Sequence, residues 1–443
     1  MTTLPPGPLP TPRVIGFAAA AFAQSVLPLV VSAFVLYYYS PPPEEGLILL
    51  SPAIIGTIRM LLGVLNAAVE PAVGHWSDRT RTRFGRRRPF MVLGLPLLLL
   101  GFGAVWFPER GLPVDALATQ LHLALSLGLF FGAYTLVFAP YNAMLPELTP
   151  DDGQRLRVSL WMSLFEVLAQ IFGSVVAALL IGVGAVRLGL ISLDNGYQLL
   201  ALVCIVISVL AVVTALFSFK ESPPNQTEQA PGFWRSAKTA LANLGFRRYG
   251  AAVFAFRLAS ASAVIAIPFL GTQLMGLDEA QAPLLLAVII VVAVLGFPLV
   301  QRLAGLRGRA KVFRYGGYGF LIVLPLMGAI GLVPGLPPLA HGVLLFVGAG
   351  FSVATLLVLP RTLLADIIDG DAAATGQRKE ALYTGMSGVV EKLGEAGASG
   401  LVGFLFGVFG NDRASPLGLR LVGVAAAVVL AMGLWAFRRH HDR

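Results

Sequence analysis

The chain has 443 residues, 56% of them hydrophobic and only 12% charged, with a formal net charge of +9. Soluble domains carry about 25% charged residues, so this composition excludes a soluble globular domain and implies a polytopic membrane protein. The positive charge does not indicate nucleic acid, because the basic residues cluster in short loops between apolar segments, and the single cysteine, Cys204, excludes a disulfide framework or a cysteine metal site.

A bilayer core requires about 20 apolar residues per helix. Twelve segments qualify, at approximately 14–39, 47–76, 90–107, 117–144, 158–185, 197–219, 249–275, 282–300, 314–334, 339–364, 380–409 and 416–437. Pro28, Pro140, Pro268 and Pro360 fall inside them, as prolines do in membrane helices that bend beside a cavity. The second segment carries Asn66 and Glu70, one helical turn apart and therefore on one face. A carboxylate at that depth costs about 2.5 kcal/mol or more, and the usual reason to keep one is an ion, a proton or a substrate in a water-filled cavity. A structural role, pairing with a neighbouring helix, is the other reading.

The loops alternate in charge. The second holds Arg79, Arg81, Arg83, Arg86, Arg87 and Arg88, and the other even-numbered loops and the tail are also basic. The odd-numbered loops carry only Arg110, Arg187 and Arg413. By the positive-inside rule both termini and all even loops face the cytoplasm, as expected of a multi-pass protein of the cytoplasmic (inner) membrane. The sixth loop divides the chain into a bundle over 1–219, a linker over 220–248 and a second bundle over 249–443. Within that linker, residues 232–246 read as a short helix on the membrane surface.

The halves share a motif. Pro140 to Arg155 and Pro360 to Arg378 each place a proline, an acidic residue (Glu147, Asp366) and Gly-Gln-Arg ahead of the next helix. Transporters built from related halves place their substrate between them near mid-membrane.

The second loop, with Gly74, Asp78-Arg79 and Gly85-Arg86-Arg87, resembles the signature of the major facilitator superfamily. The stretch SDRTRTRFGRRRPF narrows the resemblance to the glycoside–pentoside–hexuronide cation symporters and the related plant sucrose carriers. Tyr37-Tyr38-Tyr39, LPELTPDDGQR and LLADIIDGDAAATGQRKEALYTGMSGVVEKLGEA resemble the melibiose permease branch, so the likeness spans both halves. The resemblance implies an all-α membrane protein of twelve transmembrane helices with the major facilitator fold, in two six-helix halves. It also implies a cation site at Asn66, Glu70 and Thr135, where the family's two helix 2 aspartates fall on Asn66 and Glu70. The lysine that couples cation to sugar falls on Lys392, beside Glu391. The coupling ion is H⁺ or Na⁺, the latter bound at Glu70, and no other cofactor is expected.

The family's sugar-binding carboxylates fall on Ser25 and Phe138, and its arginine near Ser159. The polar and charged residues left to line a substrate cavity are Gln24, Ser25, Tyr38, Glu166, Gln170, Arg257 and Gln273. A gate on the cytoplasmic side is expected from Asp78, Arg79, Arg86, Arg87, Arg155, Arg361 and Asp366, with Arg361 and Asp366 as an ion pair. Glu391 and Glu395 share a helix face, and Lys392 points about 100° away from Glu391, so they face different neighbours.

No phosphate-binding loop or metal-spaced histidines occur, so an enzyme or an ATP-driven pump is not supported. The expected function is cation-coupled secondary transport of a small organic solute, a sugar or glycoside, by alternating access. The expected partners are that solute and the lipid bilayer, with no nucleic acid and a monomeric state. The alternatives are a carrier of lysolipid or another amphipathic solute on the same fold, and a non-transporting membrane receptor or assembly factor.

Overall fold

Without water to satisfy backbone polar groups, long apolar segments in a membrane close their hydrogen bonds within helices. The computed structural model describes residues 10–80, 82, 84–148, 151–188, 191–219, 233–377 and 379–438. In the first half of the chain, α1 (Thr11–Ala18) leads into α2 (Ala20–Tyr39), followed by α3 (Pro52–Arg79), α4 (Arg88–Ala104) and α5 (Leu117–Leu148). α6 (Asp152–Ile171) passes through a π-helical turn, Phe172–Val176, into α7 (Ala177–Ile181). A small antiparallel ribbon, β1 (Val186–Leu188) and β2 (Ile191–Leu193), precedes α8 (Gly196–Ser218). The second half comprises α9 (Phe233–Ala242), α10 (Leu244–Phe269) with a π-helical turn at Leu270–Leu274, α11 (Leu284–Arg307), α12 (Arg309–Met327), α13 (Pro338–Thr375), α14 (Glu380–Phe409) and α15 (Leu417–Arg438).

Every predicted segment overlaps a helix, but ten helical spans, not twelve, are long and apolar enough to cross a bilayer among the described residues. The two exceptions have physical causes. α4 has 17 residues, short of the usual span of about 20. The first turns of α12 carry Arg309, Lys311 and Arg314, which dilute its apolar run.

Starts of helices are fixed locally. Asp151, Asn195 and Asn243 cap α6, α8 and α10 by accepting from the backbone N–H three residues on, satisfying donors that the helix itself leaves open. Aromatic packing then locks the first half. Tyr38 and Tyr39 donate to the carbonyls of Trp106 and Val105 at 2.8 and 2.7 Å, and Trp106 stacks on Tyr197 with centroids 5.8 Å apart.

The two halves meet most extensively along α3 and α14, which run antiparallel. Small residues make this possible. A Cβ on Gly56 would stand 2.6 Å from the Ser399 carbonyl oxygen and 2.7 Å from the Cα of Gly403. One on Gly63 would stand 2.7 Å from the Ala396 Cβ.

Candidate functional site

Glu70 and Asn66 lie on α3 where it faces α14 and α5. Lys392 of α14 reaches across, with its Nζ 2.9 Å from Glu70 Oε2. The Asn66 amide fits its surroundings when its nitrogen donates to Thr135 Oγ1 at 2.7 Å and to the Phe131 carbonyl at 3.2 Å. Its oxygen then accepts from Lys392 Nζ at 3.1 Å. One ammonium is thus shared by a carboxylate and an amide of the other half of the chain. Asn66 and Thr135 are buried, whereas the Glu70 and Lys392 side chains remain 32% and 21% accessible. The ion pair therefore borders open space in mid-helix, where an arriving cation has access to it.

A second charge cluster lies beside the first. Arg257 of α10 holds Glu391 at 2.5 Å and approaches Glu395 at 3.9 Å. Glu391 is thereby engaged inside the second half and does not touch Glu70. Arg59 of α3 is buried, contacts the Ser32 carbonyl at 3.4 Å, and its charge acts on Glu395. The sequence alone gives neither Arg59 nor Glu395 a role. The four-residue spacing of Glu391 and Glu395 was the available signal.

Of the residues expected to line a substrate cavity, Gln24, Ser25, Glu166 and Gln170 are half-buried on α2 and α6. Tyr134, which sequence reasoning missed, donates to the Gln24 carbonyl at 2.7 Å and lies within electrostatic reach of Glu70, Glu166 and Glu395. The charge of Arg361 on α13 acts on Glu166 from the other half. Two expected cavity residues lie elsewhere. Tyr38 is buried in the aromatic cluster, because its position on α2 points it at Trp106 and Tyr197. Gln273 is buried in the π-helical turn, donates to Glu45 Oε1 at 2.9 Å and accepts from the Arg413 backbone N–H at 3.1 Å.

At the arginine-rich end, the side chains of Asp78 and Arg79 lie outside the described residues. Arg87 is buried and donates to the Ala143 carbonyl, and Arg88 donates to the carbonyls of Leu216 and Phe219, all in the first half. Arg86 and Arg155 are half-buried. Asp366 does not pair with Arg361. Its partner is Arg309 of α12, at 2.6 Å. Five residues along a helix rotate by about 140°, so Arg361 and Asp366 face different sides.

The opposite end is closed by contacts between the halves. Tyr37 donates to Glu45 and lies 3.4 Å from Thr272 Oγ1, while the Gln273 amide reaches Glu45 from the second half. Tyr197 donates to Glu279 Oε1 at 2.8 Å. Glu279 sits in the loop between α10 and α11, and burial raises its carboxyl above the ordinary range, with Glu45 adding to the rise and the Tyr197 bond opposing it. A raised carboxyl favours the closed arrangement below the ordinary carboxylate value, and that preference is lost as pH rises through the raised value. In a Cys204→Ser background, a cysteine at Thr272 should react with an impermeant maleimide several-fold more slowly than expected for its thiol at low pH. Glu279→Gln should hold the slow rate to higher pH; an unchanged profile removes Glu279 from the closure.

The fold and the charged pair between its halves define a multi-pass membrane transporter of the major facilitator type, not an enzyme. The chain belongs to the MFS/sugar transport protein family, whose model matches residues 16–437. It is 25% identical to an uncharacterized symporter of Synechocystis, over 87% of this chain and 83% of that protein. It is 33% identical to the sucrose transport protein SUC4 of Arabidopsis thaliana, over 24% of this chain and 23% of that one. Its fold is similar to that of a bacterial homologue of the human lysosomal transporter Spinster in an inward-facing, unoccupied conformation. That likeness has a TM-score of 0.67 at 15% identity and covers 96% of each chain.

Proposed function

We propose that this chain is a cation-coupled symporter of a small organic solute, a sugar or glycoside, working by alternating access. The observation that carries the reading is the Lys392 ammonium, held at 2.9 Å by Glu70 of the other half. Glu70, Asn66 and Thr135 offer a carboxylate, an amide oxygen and a hydroxyl to H⁺ or Na⁺. A cation arriving there competes with Lys392 for the same carboxylate. Occupancy of the site and the tie between the halves are thus mutually exclusive. The solute would sit between the halves, where Gln24, Tyr134, Glu166 and Gln170 supply polar groups. In this reading the arginine-rich end is cytoplasmic, and the closed end, with Tyr37, Glu45, Gln273 and Glu279, faces outward. The present conformation is then inward-facing. The relatives support the reading in kind, as symporters and a sucrose transport protein.

The test is uptake into proteoliposomes of radiolabelled sucrose, melibiose, methyl glucosides and lysophosphatidylcholine, with an imposed proton or sodium gradient. Accumulation of a sugar or glycoside under one gradient and its loss on collapsing that gradient is the expected result. Uptake of the lysolipid alone, or gradient-independent equilibration, would reject a coupled sugar carrier.

A further inference from the structure

Lys392 has one carboxylate partner across the boundary between the halves, Glu70, and that partner must be given up whenever a proton or cation takes the carboxylate. An ammonium in mid-membrane cannot then stand alone, because unpaired charge there is costly. Among the described residues around Lys392, one other carboxylate is held loosely enough to accept it. Glu391 is its chain neighbour but points about 100° away and is already held by Arg257 at 2.5 Å. Glu395 is three residues along α14, the spacing at which helix side chains meet. Its hold on Arg257 is loose, at 3.9 Å, and its side chain is 55% accessible, against 29% for Arg257. The charges acting on it come from each neighbouring helix: Arg59 of α3, Arg257 of α10, and Glu391 and Lys392 of α14 itself.

We infer that Glu395 is the second acceptor of the Lys392 ammonium, the carboxylate to which Lys392 turns when Glu70 is neutralised. The inference rests on the reading of Glu70 given above. Its consequence is mechanical. The pair of Lys392 with Glu70 joins α3 to α14 and so ties the two halves together. A pair of Lys392 with Glu395 lies within α14 alone. Neutralising Glu70 therefore moves an ionic tie from between the halves to inside one helix, and the halves are released without orphaning a charge. The six side chains involved, Glu70, Glu391, Glu395, Lys392, Arg257 and Arg59, carry equal numbers of positive and negative charges. Glu395 is also the one whose nearest opposite charges, Arg257, Lys392 and Arg59, lie on three different helices. It acts as a positioning residue for Lys392 and need not touch the solute.

The test needs no ligand. Melting temperatures of the full chain in detergent at neutral pH are compared for Glu70→Gln, Glu395→Gln and the double variant. In Glu70→Gln the lysine depends on Glu395, so the double variant should melt several degrees below the sum of the single effects. Adding Lys392→Met should abolish that excess, and Glu395→Asp in place of Gln should remove most of it, because charge and not shape is required. A role confined to packing or to Arg257 predicts additivity with and without Lys392, and that result would overturn the inference. If the double variant does not fold, recovery of folded protein on adding Lys392→Met supports the inference, and no recovery rejects it. The two readings fail separately. Additive melting beside loss of gradient-driven uptake in Glu70→Gln sinks only the role of Glu395, whereas intact gradient-driven uptake in Glu70→Gln sinks the cation site itself.

Discussion

Glu70→Gln is expected to lower gradient-driven accumulation at least ten-fold in proteoliposomes. The substitution keeps the size of the side chain and removes its charge, so it mimics a permanently protonated site. Lys392 then loses the carboxylate at 2.9 Å, keeps the Asn66 oxygen at 3.1 Å and depends on Glu395 of its own helix for a counter-charge. Removing one partner of a buried pair typically costs about 3–5 kcal/mol, because the remaining charge is left uncompensated. The partial access of this pair to open space, with 32% and 21% of the two side chains exposed, places the cost here at the low end of that range. Glu70→Gln combined with Lys392→Gln should recover most of the stability and none of the coupling. Cation dependence that survives in Glu70→Gln would show that the coupling ion binds elsewhere.

Gly56→Leu is expected to destabilise the protein by about 3 kcal/mol and to abolish transport, read as a fall in melting temperature and in uptake. Overpacking usually costs about 1–3 kcal/mol when neighbouring side chains can shift. At Gly56 the obstacle is backbone. Even the first carbon of a side chain would stand 2.6 Å from the Ser399 carbonyl and 2.7 Å from the Cα of Gly403. The only relief is to push α14 away from α3, which also separates Lys392 from Glu70 farther along the same helix pair. Gly74→Ala is the control, since a Cβ there meets nothing within 4 Å. Equal losses from both substitutions would mean that backbone freedom, and not the close approach of the halves, is what the glycines of α3 provide.

The charged positions of the site were legible as an anomaly. Glu70 and Lys392 interrupt long apolar runs, and an interruption of that kind is costly enough to be kept only for a reason. Their mutual pairing was not legible from composition, because they lie on helices far apart in the chain and nothing in either run names the other. Where local spacing was used alone, the outcome depended on what surrounded the residue. Glu391 and Lys392 do face different partners, as their rotation about α14 requires. Arg361 and Asp366 are close in sequence yet do not pair, because Arg309 of the adjacent helix offers Asp366 a nearer cation. Tyr38 and Gln273 were expected at a cavity because they are polar, but polarity also suits a buried hydrogen bond, and both residues make one.

By itself the sequence determined the membrane class, the helical fold, the basic end of the molecule and the family. These follow from quantities that add up along a chain: the length of apolar runs, the placement of arginines and short motifs between helices. Even there, α4 and α12 fall short of a plain span, since a segment of 17 residues and one opening with three basic residues are marginal by length and charge. Only the tertiary structure decided which charges meet, which end of the molecule is closed, and which carboxylate stands loosely held beside Lys392. Those depend on two helices approaching within reach through Gly56, Gly63 and Gly403, an approach that is fixed by packing across the whole fold and is written in no single stretch of it.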